Sequence, residues 1–150
     1  MTNELIDNLI KRLETATEGS AELDARLQAA EYDEVFVKLD DSPRGRSHPR
    51  DDLSVCWIAE NGRRYTCWRN KAYTRSLDAA LTLVPEGYDW GVAWPKYGLG
   101  AFARVKWSLN PRLHAHRSPD GSPALALCIA ALKAREWLLD RKADSTGVKY

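Results

Sequence analysis

The chain has 150 residues, 44% of them hydrophobic and 29% charged, with a formal net charge of +1. That balance belongs to a soluble globular protein of one domain with room for a sizeable core; it excludes a disordered chain, and no run approaches the roughly 18 apolar residues of a membrane span. Three cysteines, Cys56, Cys67 and Cys128, with no CxxC spacing exclude a zinc ribbon and a disulfide scaffold.

The N-terminus, MTNELIDNLIKRLE, carries acids from Glu4 onward and no unbroken apolar segment, so it is not a secretion signal and a cytoplasmic protein is expected. Charge is unevenly spread. Residues 1–42 hold 11 acids and 4 bases, residues 43–75 hold 8 bases and 3 acids, and the remainder is mildly basic. Such polarity can steer a partner, although the two surfaces can also pair with each other.

Residues 2–17 read as an amphipathic helix capped by Thr2 or Asn3, with Leu5, Ile6, Leu9, Ile10 and Leu13 on the buried face. Gly19 and Ser20 break it. A shorter helix follows to about Ala30, with Leu23, Leu27 and Ala30 turned inward and Glu18, Glu22, Asp24 and Glu31 on its exposed side. Glu34 to Leu39 is β-branched and aromatic and is predicted to be a strand. Residues 40–52 form a polar loop with two prolines, Arg44, Arg46, His48 and Arg50, a length often used for function.

Residues 53–69 read as a hairpin closed by Asn61-Gly62. A two-residue turn there sets Cys56 opposite Cys67, Ile58 opposite Tyr65 and Glu60 opposite Arg63. The opposed cysteines are then within disulfide range, while a reducing compartment favours two thiols. From Tyr73 to Trp90 the chain reads YTRSLDAALTLVPEGYDW. Ser76 caps a short helix with a stripe of Leu77, Ala80, Leu81 and Val84, which Pro85 and Gly87 end.

Residues 88–117 read as a three-strand antiparallel meander, with turns at 95–100 and at Asn110-Pro111. Ser122-Pro123 opens a final alanine-rich helix that is apolar almost all round in its first turns and should lie deep. The expected fold is α+β in a single domain, 1–150: an N-terminal helical pair over 1–31, an antiparallel sheet of four to six strands with two helices over 32–142, and a tail from 143.

The Tyr73–Trp90 segment, followed by SPALALCIAALKA, resembles the phage ABA-sandwich domain of small phage and prophage proteins. The likeness rests on Tyr73, Thr74, Ser76, Asp78, Ala79 and Ala80 and on Pro123 to Ala134, and covers roughly 55–135. It implies α/β/α sandwich-like layering, a bacterial host and no assignable catalytic residues. It points to an accessory protein, not an enzyme, that binds a protein partner, and in its sharpest form to an anti-defence, anti-CRISPR-like inhibitor of a bacterial immunity complex.

Three constellations bear on chemistry. Arg44, Arg46, Arg50, Arg63, Arg64 and Arg69 interleave with Trp57, Tyr65, Trp68 and Tyr73, a pairing suited to a protein hot spot or to single-stranded nucleic acid. A protein partner is the first expectation and a nucleic-acid-binding regulator using this region the alternative; a homodimer is left open. His114-x-His116 would share one face of a strand and is a weak candidate for a metal-dependent hydrolase, with Asp120 the only carboxylate nearby and no third ligand. Asp78 sits where the helix dipole favours an acid. No cofactor is expected.

Overall fold

The computed structural model describes residues 1–40, 56–65, 71–93, 101–107, 113–118 and 122–146. The protein is α+β, with helices α1 (Asn3–Thr15), α2 (Ala21–Glu31), α3 (Leu77–Leu81) and α4 (Pro123–Thr146). The strands are β1 (Phe36–Leu39), β2 (Trp57–Ala59), β3 (Arg64–Tyr65), β4 (Tyr88–Ala93), β5 (Ala101–Trp107) and β6 (Leu113–Ser118). They form two antiparallel sheets of three strands each, β1-β2-β3 and β4-β5-β6, and not one sheet of four to six. The second sheet is the expected meander.

The caps explain where the helices begin. Thr2 Oγ1 accepts from Leu5 N at 3.2 Å, Ser20 Oγ from Leu23 N at 3.1 Å, and Ser122 Oγ from Leu125 N at 3.2 Å. On α1, Ile6, Leu9, Ile10 and Leu13 are buried, as their spacing requires. Helix α4 is buried from Ala124 through Leu132 without interruption, because it packs on β5 and β6 and also on α1 and α3. It continues to Thr146, past the expected start of the tail.

Ala101, Ala103 and Val105 of β5 are buried, while Arg104 and Lys106 are exposed. Among the described residues helices cover one side of this sheet only. The layering is sheet, then α4, then α1, in place of α/β/α.

The β2–β3 hairpin is set one residue away from the expected register. Trp57 pairs with Tyr65 and Ile58 with Arg64. A two-residue type I′ turn needs positive φ at both central residues. Here Gly62 alone has it, at 84°, and Asn61 does not. Asn61 Oδ1 instead accepts from Arg63 N, and Ala59 N donates to Arg63 O, which closes a three-residue loop. The slip moves Trp57 onto Tyr65's face. The expected opposition of Cys56 and Cys67 falls on Cys67, which lies outside the described residues.

The expected stripe of helix α3 packs on the core, Ala80 buried and Leu77, Leu81 and Val84 partly so, and Leu83 joins it. The exit of α3 is tightened by bonds from Thr82, Leu83 and Val84 N to the carbonyls three residues back. That rotation buries Leu83 beside Ala80 and leaves Leu81 and Val84 half-buried.

Candidate functional site

Helix α2 lies between the two cores. Leu27 and Ala30 join the large aliphatic core around α4, and Ala25 and Ala29 join a small one with Trp57 and Ala59. A helix buried on two sides has little exposed face left, and this corrects the expectation for Asp24, which is fully buried. Its Oδ1 accepts from Thr74 N at 2.7 Å and from Thr74 Oγ1 at 2.5 Å, and its Oδ2 from Arg75 Nε at 2.8 Å. Burial raises the Asp24 carboxyl above its ordinary value, against the pull of Thr74 and Arg75. Gln28 Oε1 accepts from Tyr73 OH and from Lys71 N, both at 3.2 Å.

Gly19 completes this clamp. A Cβ there would meet Thr74 O at 2.1 Å, so only glycine lets the two backbones touch. Segment 71–76 is thereby fastened to α2. The buried ionisable groups around it hold elements together: Tyr73 OH is raised by burial, and so is Cys128, whose Sγ lies 3.1 Å from Tyr73 O.

The C-terminus of α2 starts the surface of interest. Asp33, in the left-handed region at φ 54°, ends the helix. Asp33 N donates to Ala30 O and Glu34 N to Ala29 O, the paired bonds of a Schellman motif. The chain then turns into β1, an edge strand. Behind it runs a ladder of rings. Tyr32 stacks on Tyr65 at 5.2 Å, Tyr65 on Trp57 at 4.1 Å, and Phe36 tilts against Trp57 at 6.3 Å. Arg26 lies over Phe36 at 4.7 Å and Arg63 over Tyr65 at 5.3 Å.

Tyr32, at the end of the ladder, is 38% exposed, and outside it Val35 is 57% exposed and Val37 51%. Beside them a groove of about 570 Å³ runs between α1, α2 and β1. Its floor includes Leu9, Ala29, Ala30 and Phe36, and its rim Lys11, Arg12, Arg26 and Glu34. The groove exists because the α2 residues between α1 and β1 are alanines, too short to fill the space.

Of the arginines expected to bind a partner, Arg63 and Arg64 lie at the hairpin end of this surface. Arg64 Nε stands 3.6 Å from Asp40 Oδ2. Arg44, Arg46, Arg50 and Arg69 lie outside the described residues, as does most of the 40–52 loop. His114 pairs in register with Val105 and His116 with Ala103. Among the described residues no three His, Cys, Asp or Glu side chains cluster as metal ligands. Asp78 is exposed in the first turn of α3.

Sequence reasoning did not reach Arg12, Arg26, Tyr32, Val35 and Val37. The available signal was the run Val35-Phe36-Val37, since a strand at a sheet edge cannot bury three consecutive apolar side chains. No protein family, curated protein or solved structure matches the chain. Among the described residues no helix is long and apolar enough to cross a membrane.

Proposed function

We propose that this protein acts by binding a protein partner, not by catalysis, and that the partner is met by the face containing Tyr32, Val35, Val37 and Arg63. The observation that carries the reading is the exposure of Val37 on the edge strand β1 and of Val35 just before it, beside an apolar groove. Exposed apolar surface rimmed by cations and rings is the composition of an interaction surface. A phage or prophage accessory protein, cytoplasmic in a bacterial host and acting on an immunity complex, is the finer form of this proposal. It is supported by the resemblance carried by Tyr73–Trp90 and Pro123–Ala134.

The test is retention from bacterial lysate on immobilised protein at micromolar density, with a Val35→Asp/Val37→Asp double variant alongside. A protein retained by the native surface and lost from the variant is expected. No retention, or equal retention by both, would refute the reading. The second reading, a nucleic-acid-binding regulator, draws on Arg63 over Tyr65. It requires binding to labelled DNA or RNA that weakens steeply with added salt.

A further inference from the structure

We infer that the groove between α1, α2 and β1 takes a partner segment that alternates aliphatic side chains with carboxylates, one carboxylate pairing with Arg12. The inference rests on the reading of the chain as a partner binder and names what that partner must carry.

The floor asks for apolar side chains, because Leu9, Ala29, Ala30 and Phe36 offer little to hydrogen-bond. A volume of about 570 Å³ lies within the range of sites that enclose a ligand. The rim decides the charge. Three cations line it against one acid, Glu34. Both Glu34 oxygens are already engaged, Oε1 by Tyr65 OH at 2.8 Å and Oε2 by Asn61 Nδ2 at 3.3 Å. Lys11 pairs with Asp7 and Arg26 with Glu22, each along its own helix. Arg12 is exposed and makes no ion pair among the described residues. A guanidinium in that position matches a carboxylate by two parallel hydrogen bonds.

Two alternatives fit less well. A nucleic acid would bring a row of phosphates onto a segment with 11 acids and 4 bases in its first 42 residues, whereas one or two carboxylates meet only the cationic rim. A small free carboxylate would fill the groove, Val35 included, yet leave Val37 uncovered. Apolar surface that continues out of the groove along β1 calls for an occupant long enough to follow it.

The probe is a short synthetic peptide of alternating leucine and glutamate, titrated into the full chain and followed by backbone amide shifts. The expected shifts centre on Leu5, Asn8, Arg12, Ala29 and Val35. Replacing the peptide's glutamates by glutamine, or Arg12 by Glu, should weaken binding by about tenfold or more. A leucine–lysine peptide should bind the Arg12→Glu variant better than the native chain. Arg12→Gln, which leaves the helix charge pattern milder, should give an intermediate loss. No shifts at about millimolar peptide, shifts on another surface, indifference to both Arg12 variants, or the same shifts from a single-stranded oligonucleotide would each overturn the inference. The immobilised protein separates the two levels. A partner retained equally by native and Arg12→Glu protein refutes this inference and leaves the binding role intact, whereas no partner on either refutes the role itself.

Discussion

Around α4 the core is aliphatic and continuous, running from Ile6 and Leu13 through Leu83 to Ile129 and Leu132. Beneath β1–β3 it consists of Ala25, Ala29, Trp57 and Ala59, closed by Phe36, Leu39 and Tyr65. The first region gains stability from many interchangeable methyl groups. The second depends on one indole and the rings stacked on it. A core that small cannot draw in all its neighbours, so Val35, Val37 and Tyr32 stay at the surface. The contrast teaches that the region less able to bury its apolar residues holds most of the exposed ones; among the described residues only Trp90, on β4, is a large apolar side chain exposed elsewhere.

The contrast can be broken most directly at Trp57. Trp57→Ala should cost about 3–5 kcal/mol, measured by denaturant unfolding. Hydrogen exchange should quicken first in β1–β3 while α4 amides stay protected; equal loss of protection in α4 would make the two cores one cooperative unit. Asp24→Ala comes next, at about 1–3 kcal/mol, because the buried Thr74 N–H loses its acceptor, while the Thr74 hydroxyl can still donate to Ser20 O and Arg75 can still reach water. Since α2 serves both cores, this variant should loosen both together, and protection lost on one side only would show that the clamp belongs to that side alone.

Gly62→Ala should cost about 1–2 kcal/mol, the expense of a side chain in the left-handed region, and should act on the hairpin without changing α4. The smallest effect is one of pH. The Asp24 carboxyl titrates in the fold above its ordinary 3.8, burial being the main cause. The folded protein then holds a proton that the unfolded chain releases. The stability from this group is complete at low pH and is lost as pH rises through the folded value. Native protein should therefore lose Tm relative to Asp24→Asn on going from about pH 4 towards neutrality, and a constant difference would refute the raised value.

The long elements were legible in the residues because one local rule governs each. Ile6, Leu9, Ile10 and Leu13 repeat at helical spacing, Ser122-Pro123 marks the entry of α4, and β5 alternates. Helix α2 was misread on its outer side because an amphipathic rule assumes one buried face, and Asp24 lies against a second. The hairpin register was misread because Asn61-Gly62 suits two loop lengths, and only the backbone of Asn61 chooses between them. The division into two sheets is set by contacts distant in sequence, which no local pattern records. The groove was invisible for the same reason: Arg12, Ala29 and Val35 meet only after α1, α2 and β1 have packed.

One consequence follows from the thiol in the second turn of α4. Cys128 is wholly enclosed, and burial holds it in the unreactive protonated form. An alkylating reagent can reach it only in molecules whose main core has come apart. Peptide mapping of that single modification over time would act as a stopwatch for complete opening, indifferent to breathing at the edges.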